Sequence, residues 1–172
     1  MKVYDGSKSG QGQDAQPERM KVGIAEYGVA NEGVALTTSG LGSCVGVALY
    51  DTETETTGLV HVLLPSADEM EAGKAAKFAD SGTELLIEKM VEVGADANSL
   101  IAKIAGGSDM LDFSEGGSGI GDRNVKNVKR TLKAHQIPVF AEDVGGDHGR
   151  ALRLEPNGDL IVKSANQEDH RL

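Results

Sequence analysis

The chain has 172 residues, 17 Lys and Arg against 27 Asp and Glu, and a net charge of −10. That length supports one domain with a real core and is too short for two ordinary ones. The charge excludes nucleic acid and anionic lipid as partners, since both demand clustered cations; no run of 18 apolar residues exists for a helical membrane span.

A lone cysteine cannot close an internal disulfide, and a free thiol fits a reducing cytoplasm. The scattered acidic residues keep a protein soluble and would also suit a high-salt cytoplasm. Residues 1–19 are rich in Gly, Ser, Gln and Asp and lack the apolar core of a signal peptide, so they are expected to form a flexible tail, as are 165–172. The folded domain is expected over 20–164.

Val22–Ala25 and Gly33–Thr38 read as short strands around a turn at Ala30–Gly33. Cys44–Tyr50 and Gly58–Leu64 follow as a hairpin about Asp51–Thr57, and their nearly continuous apolar character predicts burial on both faces. Phe78, Leu85, Leu86, Met90 and Val93 recur at helical spacing over 75–93, with Gly94 as the stop. Leu100–Ala105 is a strand entering Gly106-Gly107, and 110–121 is a glycine-rich loop carrying Met110 and Phe113. Asp122 is the expected N-cap of a helix over 123–135. Val139–Val144 is a strand, and Arg150–Leu154 with Leu160–Lys163 form a hairpin around Pro156–Asp159. The sum is an α+β layered domain, mainly antiparallel, with two or three helices packed on sheet faces.

The chemistry centres on Ser39-Gly40-Leu41-Gly42-Ser43-Cys44, a glycine-rich turn feeding an apolar run. Such a turn can aim free N–H groups, around Gly42 and Ser43, into a cavity beside the sulfur. Seventeen residues on, His61 could accept the thiol proton, and Thr38 or Thr37 could orient the ring. The expected hairpin register sets Cys44 opposite Pro65 and His61 opposite Ala48, which is no direct pair. Two readings stay open on spacing alone: a nucleophile with its base, or a small buried hydrophobe and a satisfied core histidine.

Other motifs carry less. Gly40-x-Gly42 is no dinucleotide fingerprint, because Val45 stands where the third glycine belongs. His61, His135, His148 and His170 show no close pair at metal-ligand spacing, so no structural zinc or other metal is expected. Arg123, Asn124 and Arg150 could bind a substrate carboxylate or amide, or serve as caps and ion pairs. Met110 and Phe113 could anchor a partner or fold onto the core.

Five motifs in one order, Gly40-Leu41-Gly42-Ser43-Cys44-Val45, Gly58-x-x-His61-x-x-Leu64-Pro65, Lys103-Ile104-Ala105-Gly106-Gly107-x-x-Met110, Ile120-Gly121-x-Arg123-Asn124 and Ala141-Glu142-Asp143-x-Gly145-Gly146, resemble the CheD chemotaxis family. The resemblance spans about Met20 to Lys163. It implies a cysteine-hydrolase fold like that of deamidating toxins and a cofactor-free enzyme that converts glutamines of chemoreceptor cytoplasmic helices to glutamate. Some members also cleave receptor methyl esters, and many bind the CheC phosphatase. By position, the family nucleophile falls on Cys44, the base on His61 and the orienting threonine on Thr38. The alternative it leaves is a regulatory partner of CheC with vestigial deamidation.

Overall fold

The computed structural model describes residues 2–4, 18–67, 74–109 and 119–172. In chain order the strands are β1 (Lys2–Tyr4), β2 (Glu18–Lys21), β3 (Tyr27–Ala30), β4 (Val34–Leu41), β5 (Val45–Asp51), β6 (Thr57–Val62), β7 (Leu100–Gly106), β8 (Val139–Val144), β9 (Arg150–Leu154), β10 (Leu160–Ser164) and β11 (His170–Arg171). Helix α1 (Ala79–Glu92) precedes β7, and α2 (Ile120–Ala134) precedes β8.

Two sheets result, ordered β1-β3-β6-β5-β7-β8 and β11-β10-β9-β4-β2. Pairing is antiparallel except at β1·β3, β7·β8 and β2·β4. One face of the six-stranded sheet, through Val45, Val47, Leu49, Val60 and Val62, packs on Leu86 and Met90 of α1 and on Val125, Val128 and Leu132 of α2. Its other face, through Ala48, Leu59 and Ala105, packs on Leu36, Leu152, Leu154 and Val162 of the second sheet. The six-stranded sheet is therefore the middle layer, which is why β5 and β6 read as continuous apolar runs. The expected α+β layered, mainly antiparallel architecture is the one observed.

Several boundaries differ for local reasons. Val22–Ala25 is no strand: the Val22 N–H donates to the Thr37 carbonyl at 2.7 Å, and the chain then turns at Ala25, whose φ is +58°. The strand is the preceding Glu18–Lys21, and a second lies at Tyr27–Ala30. The first helix is broken. Ala75–Lys77 makes a 3-10 turn, Phe78 is extended and bridges Leu64, and only then does α1 begin. The cause is the Lys77 carbonyl, which accepts from Leu63 and Leu64 and draws that turn onto the end of β6. Helix α2 starts at Ile120 with Gly119 as N-cap, so Asp122 sits in the first turn, where its charge suits the helix dipole. Lys2–Tyr4 and His170–Arg171, expected in tails, add edge strands to the two sheets.

The hairpin register also differs, and it bears on the site. Asp51 is fully buried and accepts from the N–H groups of Glu53 and Thr54 through Oδ1 and of Asp96 through Oδ2. Burial alone would raise its pKa, yet these hydrogen bonds hold the carboxyl below its ordinary value. The clamped turn lets Tyr50 pair with Thr57, which sets His61 opposite Gly46, not Ala48.

Candidate active site

His61 and Gly46 share a face of the six-stranded sheet, since they are a direct cross-strand pair. Side chains alternate along a strand, so Cys44, two residues before Gly46, looks to that same face one diagonal step from His61. It is the face that meets the second sheet, and Cys44 is half-buried against the inter-sheet core there. Thr38 arrives from the opposing sheet. Leu36 and Thr38 both point inward from β4, and the Thr38 Oγ1 lies 2.8 Å from His61 Nδ1.

His61 is completely buried, and its Nε2 has no hydrogen-bond partner among the described residues. Burial drives its pKa down from 6.5 to about 4, so the ring is neutral at pH 7. Burial also pushes the Cys44 thiol up, opposed in part by its own backbone N–H. The resting pair is therefore thiol and imidazole, not thiolate and imidazolium. A neutral ring held at Nδ1 leaves Nε2 as the group able to exchange a proton.

The loop leading to Cys44 is fixed by its carbonyls. The Gly42 carbonyl accepts from Ser108 N–H at 2.8 Å, the Ser43 carbonyl from Asn124 Nδ2 at 2.9 Å, and the Cys44 carbonyl from Gly107 N–H at 2.8 Å. In a trans peptide the C=O of one residue and the N–H of the next point in opposite directions. Anchoring the Gly42 and Ser43 carbonyls in the scaffold thus turns the Ser43 and Cys44 N–H groups away from it. Neither amide has a neighbouring carbonyl as acceptor among the described residues, whereas the Gly42 N–H is taken by the Gly40 carbonyl at 3.2 Å. Of the donors expected around Gly42 and Ser43, the Gly42 N–H is engaged and the Ser43 N–H is left open, together with that of Cys44.

The scaffold residues explain the remaining motifs. Gly106 has φ +114°, and a Cβ there would collide with the Cys44 carbonyl oxygen. Gly121, in the first turn of α2, would place a Cβ 2.5 Å from the carbonyl oxygens of both Gly107 and Ser108. Asn124, fully buried, donates from Nδ2 to the carbonyls of Ser43 and Leu63, each at 2.9 Å. It joins the residue before the cysteine to the residue two beyond the histidine. Its Oδ1 is buried without a hydrogen-bond partner among the described residues. Arg150 is buried too, so it does not offer itself to substrate. Its Nη1 donates to Ser108 Oγ at 2.8 Å, and its Nη2 to the Gly145 carbonyl at 2.8 Å and Asp143 at 3.2 Å. Ser108, which in turn holds the loop at Gly42, carried no signal in the sequence. Asn124 did, as a polar residue beside a helix start, but nothing linear shows that it bridges 81 residues back to Ser43.

Met110 and Phe113 lie outside the described residues. Among the described residues no three His, Cys, Asp or Glu side chains are grouped to hold a metal, and no helix is long and apolar enough to cross a membrane.

Comparisons with known proteins agree with the layered arrangement. A crystal structure of a DUF152 protein from Neisseria meningitidis superposes with a TM-score of 0.52 at 12% identity, over 76% of this chain. The chain spans 65% of that protein's length, and the likeness is one of fold. Curated relatives are much nearer in sequence. A Haloarcula marismortui protein named probable chemoreceptor glutamine deamidase CheD is 59% identical over 169 residues, 98% of either chain. One of the same name from Natronomonas pharaonis is 42% identical over 90% of this chain and 93% of its own. The Bacillus subtilis chemoreceptor glutamine deamidase CheD is 41% identical over 83% of this chain and 88% of its own. With residues 63–164 also matching the model described as CheD chemotactic sensory transduction, the chain belongs to the CheD family.

Proposed function

We propose that this chain is a chemoreceptor glutamine deamidase, a cysteine hydrolase that acts through Cys44, His61 and Thr38 in the cytoplasm during chemotactic adaptation. The observation that carries the reading is the buried Thr38–His61 contact at 2.8 Å, which leaves an unpartnered Nε2 in the layer where Cys44 also faces. A satisfied core histidine would have both nitrogens paired.

Cys44 Sγ attacks the glutamine side-chain carbonyl while His61 Nε2 takes the thiol proton. Because both groups rest neutral, this transfer accompanies attack. The Ser43 and Cys44 N–H groups stabilise the oxyanion. The C–N bond then breaks, and the proton held by His61 leaves with ammonia. Water, deprotonated by the same nitrogen, attacks the thioester, so glutamate departs and the thiol is restored. Thr38 keeps the ring in one tautomer and orientation throughout. A glutamate methyl ester presents the same carbonyl and loses methanol instead.

The test is incubation of a receptor cytoplasmic fragment with wild type and with Cys44→Ala, followed by peptide mass spectrometry for amide-to-acid conversion. Conversion at discrete glutamines by wild type and none by the variant is expected. Conversion by both, or by neither while the proteins remain folded, overturns the reading.

A further inference from the structure

The outer face of the five-stranded sheet, turned away from the core, carries a cleft of about 240 Å³. Among the described residues its charged lining is entirely basic: Arg19 and Lys21 from β2, Arg153 from β9 and Lys163 from β10, with Thr37 and Ser39 of β4 between them. The ladder explains the grouping. Lys21 pairs with Thr37 and Thr37 with Arg153, one row across three strands, while Lys163 lies on the fourth. The cations therefore spread over roughly 14 Å, three inter-strand spacings.

In a chain with ten more carboxylates than cations, four converging cations without a lining carboxylate run against composition. Only two of the four are ion-paired in place. Arg19 and Lys21 have no ion-pair partner among the described residues; Glu155 engages Arg153 through Nε alone; and Asp169 stands 3.8 Å from a half-exposed Lys163. The field selects an anion, and the spread selects one with several charges set apart. A single phosphate reaches two such cations at most, whereas carboxylates along a peptide lie about 6 Å apart on a helix face and suit the row. Thr38 forms part of the cleft wall and also holds His61, so an occupant lies against the strand that continues through Ser39 and Gly40 to Cys44.

We infer that this cleft binds acidic side chains flanking the target glutamine of the protein substrate. The inference rests on the deamidase reading for its substrate and on the cleft for its charge preference. It is tested with two fluorescent peptides that share a central glutamine, one flanked by four glutamates and one by four serines, titrated into Cys44→Ala protein at 0.1 M salt. The acidic peptide should bind at least tenfold more tightly. That advantage should vanish when Lys21→Glu and Lys163→Glu are added, shrink with Lys21→Gln and Lys163→Gln, and fall away at 1 M salt, where the screening length drops from about 10 to about 3 Å. Equal affinities, or an advantage that survives charge reversal in protein shown folded by circular dichroism, overturn the inference. Displacement of the peptide by inorganic phosphate at equal charge concentration overturns the carboxylate assignment. A retained acidic preference with no deamidation of either peptide by wild type supports the cleft's ligand class and removes the deamidase reading instead.

Discussion

At the scale of single residues, a neutral thiol and a neutral imidazole behave differently from an ion pair. A preformed thiolate and imidazolium would make Cys44 reactive at neutral pH and flat in pH above it. Burial raises this thiol above its ordinary value of 9 and lowers His61 to about 4, so the pair stays uncharged between those limits. Alkylation of Cys44 by iodoacetamide should therefore rise about tenfold per pH unit from pH 7 to 9, following thiolate fraction. Replacing His61 with alanine should leave that slope in place. A rate plateau below pH 7 would show that the ion pair exists and that the proton has moved before substrate arrives.

At the scale of elements, the site is a junction where five segments meet: the Gly40–Cys44 turn, β6, the turn after β7, the start of α2 and β9. Asn124 ties three of them, through Ser43 and Leu63. Asn124→Ala strands two carbonyls in the interior, a loss of about 2 to 6 kcal/mol at about 1–3 per unsatisfied group. Urea midpoints should fall accordingly. Deamidation in the protein that remains folded should fall further, because the Cys44 amide is aimed by the Ser43 carbonyl that Asn124 holds. Full activity per folded molecule would confine Asn124 to stability. Tight backbone contact at Gly106 and Gly121 serves the same junction from its other side.

At the scale of the whole molecule, the buried imidazole links folding to pH. Unfolded, the ring titrates near 6.5; folded, near 4. Between those values the unfolded chain binds the proton and the folded protein does not, so acid favours unfolding. Stability should rise as pH climbs from about 4 to 6.5 and gain nothing more from this group above that. The gap is worth about 3 kcal/mol. Urea titrations of wild type and His61→Gln across pH 4 to 7 measure it: the variant should lose that part of the slope. Identical pH dependence in the two proteins would mean that His61 is solvated and protonated in the fold. A further link spans the sheets, where the buried Lys103 ammonium donates to the carbonyls of Gly158 and Leu172, each at 2.9 Å.

Much of this was written locally. The two-faced burial of β5 and β6, the apolar stripes of both helices and the turn at Pro156–Asp159 follow from side-chain periodicity and backbone preference, which neighbours in sequence set. The candidate triplet Cys44, His61 and Thr38 was proposed by position in a family pattern, while spacing alone predicted a register with His61 opposite Ala48. Tertiary structure decided the rest. The Asp51 turn shifted the hairpin and made Cys44 and His61 diagonal neighbours; the second sheet brought Thr38 to the ring; Asn124, Ser108 and Arg150 became anchors of the loop across separations no linear pattern encodes. The basic row formed only when strands distant in sequence paired. Local sequence fixes which face a residue shows, but partners across layers are chosen by packing.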